Sequence, residues 1–175
     1  MIELRADFGR AKRRESILDE TAKLTALRMF TYGLYVVTVR DGDDETGFTA
    51  NWLTQVSFDP PMLAVSVENR SHSIGIILRK PFFIVNVLSS GQRDLAGLLG
   101  KRWEKVPDKL SQVRQHPGRN GCAVLDDALA YLECEVTGSA TAGDSTVFIA
   151  RIVGAGVQRE GEPLTMAEAG FRHAG

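Results

Sequence analysis

Between Ile17 and Phe30 the apolar residues Ile17, Leu18, Ala22, Leu24, Leu27 and Phe30 recur at helical spacing, which predicts a helix with one buried face. Gly33 follows as its stop signal. The next seven residues, LYVVTVR (Leu34 to Arg40), are rich in β-branched and aromatic residues and read as a strand. A polar run, DGDDETG from Asp41 to Gly47, holds residues that tolerate a left-handed backbone and reads as a turn. Together these predict a hairpin whose second strand runs into GFTANWLTQVSFDPP, Gly47 to Pro61. That stretch places small or polar residues, Thr49, Ala50 and Asn51, where a core strand would carry bulk.

Alternation continues downstream. Met62 to Glu68 (MLAVSVE) predicts a strand with bulky Leu63, Val65 and Val67 on one face and smaller residues on the other. NRSHS is a turn, Ser71 to Arg79 a short helix ended by Pro81, and FFIVNVLS (Phe82 to Ser89) an apolar strand interrupted by Asn86. QRDLAGLLG predicts a short helix closed by Gly100. Lys101 to Gly121 is polar and irregular, a loop length that is uncommon without a function. Two long strands, LAYLECEVTGSAT and STVFIARIVGAGVQR, face each other across Ala142 to Asp144. The fold class is therefore mainly β with short helices, a small barrel or sandwich in which closure removes apolar strand edges.

Composition narrows the function. A chain of 175 residues suits one domain, with residues 1–15 expected to be a mobile segment. Twenty-one basic and twenty-two acidic residues nearly cancel, so no global field draws the chain to nucleic acid or an anionic membrane. The basic cluster Arg10, Lys12, Arg13 and Arg14 reads as a solvated N-terminal face. No apolar run is long enough to span a bilayer, and no apolar stretch follows the basic residues as a secretory signal requires. Cys122 and Cys134 are not spaced as a zinc or redox pair, which points to two unpaired thiols in the cytoplasm.

Standard catalytic templates are missing. Gly154-Ala155-Gly156 lacks the third glycine and the helix of a dinucleotide fingerprint. No serine has a nucleophile-elbow context, and no metal site is expected: Asp41, Asp43, Asp44 and Glu45 lack the distal glutamate of a calcium loop. His72 has two readings, a turn histidine capping a helix or a donor to an anion. Asn86, Ser66 and the Thr49–Asn51 group are polar where apolar bulk is expected, so either they tie loops together or they line a shared cavity. Asn69, Arg70, Ser71 and Ser73 supply donors at a helix start, which favours an anion. A flat polar ring with a phosphate tail suits both groups.

The run ALRMFTYGLYVVTVRDGDDETGFTANWLTQVSFDPPMLAVSVENRSHS, the FFIVNVL strand and the LECEVTGSATAGDSTVFIARIVGAGV hairpin together resemble the flavin reductase-like family of FMN-binding split β-barrels. The resemblance covers roughly Ala26 to Val157. It implies a Greek-key split barrel, a homodimer, and FMN (with FAD as the other candidate) reduced by NAD(P)H. Thr49, Ala50, Asn51, Trp52, Leu53 and Thr54 would border the isoalloxazine ring. Ser57 and the Asn69, Arg70, Ser71 and Ser73 turn would hold the ribityl chain or phosphate, and Asn86 would line the pocket. Asp108-Lys109-Leu110 is similar to a pattern on the family's flavin side, although Lys109 also reads as a plain surface lysine.

One departure stands out. Many reductases of the family carry Gly-Asp-His before the last long strand, and here Gly143, Asp144 and Ser145 stand instead. The resemblance thus leaves two flavin readings, a flavin reductase serving a monooxygenase or another redox protein, and a flavoredoxin-like electron carrier reduced by a protein. A third reading is a barrel that binds no flavin. No side chain is expected to act as catalytic acid or base, because hydride transfer to flavin requires orientation and exclusion of water rather than proton transfer.

Overall fold

The computed structural model describes residues 18–171, so the basic cluster Arg10–Arg14, residues 1–15 and the predicted helix start at Ile17 lie outside the described residues. Two units separate, 18–30 and 31–171. The first is α1 (Glu20–Arg28), started by Asp19, whose carboxylate accepts the Ala22 N–H at 2.9 Å. None of its residues is buried, so the expected buried face is corrected: Leu24 and Leu27 are half-buried, and Met29 and Phe30 beyond the helix are exposed.

The second unit is built on one antiparallel sheet of seven strands. In chain order these are β1 (Tyr35–Asp41), β2 (Asp44–Ala50), β3 (Leu53–Ser57), β4 (Met62–Glu68), β5 (Phe82–Val87), β8 (Ala130–Ala142) and β9 (Ser145–Val157). A short ribbon, β6 (Gln115–Pro117) with β7 (Ala123–Leu125), lies inside the stretch read as an irregular loop and just beyond it. Sheet order is β2-β1-β5-β8-β9-β4-β3. The two end strands, β2 and β3, are consecutive in sequence and joined by Asn51 and Trp52 alone. Among the described residues the unit also holds three α-helices, α2 (His72–Arg79), α3 (Arg93–Leu99) and α4 (Met166–Ala169), and two short 3-10 helices (Lys109–Gln112 and Arg119–Gly121), none of them long and apolar enough to cross a membrane.

The first hairpin is tighter than its composition suggested. Gly42, at φ 63°, and Asp43 make the turn, and Asp44 to Gly47 belong to β2. Acidic residues can sit in this strand because each finds a cation: Asp44 meets His72 and Arg79, and Glu45 meets Arg40.

The sheet carries apolar residues on both faces. Val37, Val39, Leu63, Val65, Val67, Phe83, Val85 and Phe148 form one core, closed by Ile76 and Ile77 of α2. Val36, Leu88, Leu99, Leu110, Leu125, Leu164 and Met166 form a second beneath α3 and α4. Two-sided burial explains why LYVVTVR and FFIVNVL read as continuous apolar runs rather than alternating ones. A third cluster, Phe82, Ile84, Cys122 and Val124, packs β7 against the sheet. Thr38 and Asn86 fasten that contact: Thr38 Oγ1 donates to Ala123 O at 2.6 Å, and Leu125 N–H donates to Asn86 Oδ1 at 2.8 Å.

Candidate functional site

The β2–β3 junction is pinned on both sides and open between them. Ala50 is buried and Leu53 packs against the first core. Thr49 Oγ1 donates to Ala96 O of α3 at 2.6 Å, and Ser66 N–H of β4 donates to Trp52 O at 3.0 Å. These anchors hold Asn51 and Trp52 outside the strand ladders, with the Trp52 ring partly exposed. Within this rigid frame the Asn51 Nδ2 amide is buried and has no hydrogen-bond partner. A buried amide donor left unmade costs about 1–3 kcal/mol, so its retention points to an acceptor brought by a ligand.

A second group follows β4. Ser71 is the N-cap of α2 and makes no side-chain capping bond, so its hydroxyl is not spent on the helix. Ser73 is buried in the first turn. Asn69 Oδ1 accepts from Thr146 Oγ1 at 2.7 Å and its N–H donates to Asp144 O, which ties the turn to the tip of the β8–β9 hairpin. Arg70 is exposed and paired with Glu68 at 2.9 Å. Three residues of extended chain separate Ser66 from Asn69, roughly 10 Å along β4.

Two predicted residues do not join these groups. Ser57 pairs with Met62 at the opposite end of β4 from Glu68, so Ser57 and the Asn69–Ser73 turn cannot grip one group within a single chain. Asn86 is fully buried, and its amide is spent on backbone: Nδ2 donates to Val36 O and Ala123 O, both at 3.3 Å, while Oδ1 accepts from Leu125. It ties strands together and offers no atom to a pocket. Thr54 lies beside the junction on β3, exposed.

Two further residues depart from their expected roles. Lys109 is not a surface lysine: it is 3% exposed, and its Nζ donates to Leu99 O at 2.8 Å and Lys101 O at 2.6 Å, at the C-terminal end of α3. Burial pushes its ammonium down to about 8. His72 makes no cap. Its Nε2 lies 2.7 Å from Asp44 Oδ1, and its ring stacks on Trp103 with centroids 4.1 Å apart and planes 13° off parallel. The hydrogen bond from His72, aided by Arg79, holds the Asp44 carboxyl below its ordinary range. Trp103 was not singled out in the sequence, where a lone aromatic in a polar loop carries no periodic signal.

Among the described residues, no three His, Cys, Asp or Glu side chains converge as a metal ion would require. A cavity of about 410 Å³ opens elsewhere, between Gln92 and Leu95 on one side and Arg114, Asp127 and Arg159 on the other, and contains none of the predicted residues. Its two arginines are already engaged with Asp127.

The flavin reductase like domain matches residues 27–175, and the chain belongs to that family. It is 33% identical over 144 residues to a high molecular weight rubredoxin of Moorella thermoacetica, covering 81% of this chain and 63% of that protein. It is 34% identical over 137 residues to a "Probable flavin reductase" of Rhizobium meliloti, covering 78% of this chain and 43% of the relative. Among solved structures, BorF, the flavin reductase component of a bacterial two-component tryptophan halogenase, superposes with a TM-score of 0.73 at 32% identity. That match covers 83% of this chain and 94% of the BorF chain.

Proposed function

We propose that this protein is a flavin-dependent oxidoreductase that holds FMN along the β2–β3 junction and the Asn69–Ser73 turn and takes electrons from NAD(P)H. The observation that carries this reading is the buried, partnerless Asn51 Nδ2, set in a junction whose flanking residues are all anchored. A flavin ring offers carbonyl and ring-nitrogen acceptors to such a donor, and its phosphate suits a turn with uncommitted serine hydroxyls. The roughly 10 Å between the two groups fits a flat head joined to a charged tail.

Bound flavin supplies a ring position that accepts hydride from a nicotinamide. The chain's own residues would bind and orient. Asn51 would donate to a ring acceptor, Trp52 would wall the ring and exclude water, and Ser71 and Ser73 would hold the phosphate at the start of α2. Thr49 acts indirectly, fixing the junction through Ala96.

A split β-barrel homodimer is the assembly we favour. The end strands of the sheet meet at a two-residue junction, as expected if the sheet curls on itself. On the face of β4 and β9 turned away from the core, Ala64 lies opposite Ile149 and Ser66 opposite Val147, with Met62 opposite the exposed Arg151, a partly apolar surface edged by charge that suits a second copy. The reduced flavin would serve a monooxygenase-type or redox protein partner, a role of the same general kind as that of BorF, which is named as the reductase component of a two-component tryptophan halogenase.

A second reading, an electron carrier reduced by a protein, is favoured by one observation. Ser145 stands where many reductases carry histidine, and it is buried with its hydroxyl turned to Asp144 Oδ1 at 3.1 Å. The chain's similarity to a protein named high molecular weight rubredoxin agrees with that reading. Mixing the protein with FMN and then NADH or NADPH under anaerobic conditions separates the two. Loss of the flavin band supports the reductase. Bound FMN that stays oxidised with both nucleotides removes it.

A further inference from the structure

The segment from Lys101 to Val113 crosses from the end of α3 to β6 and is fastened at two separate places. At its C-terminal side Lys109 is buried beneath the last carbonyls of α3, and Leu110 packs so close to Gly47 that a methyl group there would lie 3.1 Å from Leu110 Cδ2. At its N-terminal side Trp103 lies flat on His72. The platform under Trp103 is rigid. Arg79 Nη2 holds Asp44 Oδ2 at 2.6 Å, and Asp44 Oδ1 holds the imidazole, so the ring has a fixed plane to present.

Between those points the segment is thinly held. Arg102, Glu104 and Lys105 are exposed, and from Arg102 to Val106 the backbone closes through turn bonds of 3.1–3.3 Å, Lys105 N to Arg102 O and Val106 N to Arg102 O and Trp103 O, while Asp108 O is already held by Ser111. Segments with few buried contacts and solvent-exposed backbone bonds open at low free energy. Lys109 and Leu110 are buried and Lys109 Nζ also holds Lys101 O, so both ends of the segment are pinned at one base and Trp103 lies on the part between them that can lift.

His72 lies between Ser71 and Ser73 in the chain, so the Trp103 contact is made on a residue of the turn whose serine hydroxyls the flavin reading assigns to the phosphate. We infer that residues 102–107 form a strap, pinned at its base by Lys109 and latched by Trp103 on His72, that sets how fast a ligand leaves the Asn69–Ser73 turn. With the proposed flavin reading as its basis, the strap controls whether FMN is retained between turnovers or exchanged. A latched strap keeps it, and a lifted one releases it.

Two variants of the full chain, Trp103→Ala and Trp103→Phe, test the inference with two readouts. Hydrogen exchange on flavin-free protein reads the latch: the Lys105 and Val106 amides exchange faster in Trp103→Ala, with amides of β1 and β5 unchanged. Stopped-flow displacement of FMN reads the consequence: dissociation becomes roughly 3- to 10-fold faster in Trp103→Ala, the scale of one aromatic stack, and stays near wild type in Trp103→Phe. Exchange that does not respond to Trp103→Ala overturns the latch. Exchange that responds while FMN leaves at the wild-type rate overturns the link to retention. Failure of the wild-type chain to bind FMN overturns the flavin reading, and the retention role with it, while the exchange data still report the latch.

Discussion

Replacing Asn86 with alanine separates a strand-tying asparagine from a ligand-binding one. The substitution removes the acceptor for the buried Leu125 N–H and leaves that donor without a partner, which costs about 1–3 kcal/mol. Ala123 O keeps its 2.6 Å bond from Thr38 Oγ1, so only Val36 O loses a side-chain partner, and that bond is long at 3.3 Å. A small void at a fully buried position adds to the loss, giving about 2–4 kcal/mol in all. Asn86→Asp goes further, because an ionised carboxylate would face two carbonyl oxygens. Its deficit should shrink on acidification, when a protonated acid can donate to one of them. Urea unfolding at neutral pH measures both variants, with an unchanged slope marking a pure stability effect. FMN affinity measured below the unfolding transition should match the wild type. An Asn86→Ala protein of wild-type stability that binds FMN ten-fold more weakly would refute this account.

Other consequences are open to direct measurement. Lys109 in the unfolded chain keeps its proton up to about 10.5, whereas in the folded chain it gives it up near 8, so stability should rise as pH climbs across that window. The full effect is on the order of 3 kcal/mol, since a neutral amine still has the two N–H donors that Leu99 O and Lys101 O require. Lys109→Met should abolish that pH slope in denaturant titrations. Burial pushes the Cys122 and Cys134 thiols up to about 11 and about 12, so a thiol reagent at pH 8 should modify neither until the protein is unfolded. Gly118→Ala would set a methyl group 2.6 Å from Ile84 Cδ1 and 2.9 Å from Val124 Cγ2. With an ordinary φ of −89°, its cost of about 1–3 kcal/mol in thermal or urea unfolding comes from overpacking alone.

Much of the architecture was legible because burial on two sheet faces leaves a plain trace. LYVVTVR, MLAVSVE and FFIVNVL could hardly be anything but strands, and Ala142–Asp144 marked its hairpin. The elements missed are those held by contacts distant in sequence. β6 and β7 are three residues each, and α4 exists to seat Leu164 and Met166 under the sheet, a need that local propensity does not register. In the site, Asn51 stood out because a polar residue interrupted a strand. The same logic misled at Asn86, where the interruption serves the fold. Lys109 and Trp103 show the converse limit: an amine at a helix end and an indole on an imidazole become visible only once the loop is folded.

The measurement that bears most directly on the central claim is the pairing of FMN affinity and flavin-free stability in Asn51→Ala. If the buried Asn51 amide awaits an acceptor on FMN, the variant should bind FMN about 5- to 100-fold more weakly, the equivalent of one buried hydrogen bond. Its flavin-free form should be at least as stable as the wild type, because a partnerless buried donor has been removed. A variant that binds FMN as tightly as the wild type, or a wild-type chain that binds none, would contradict the account.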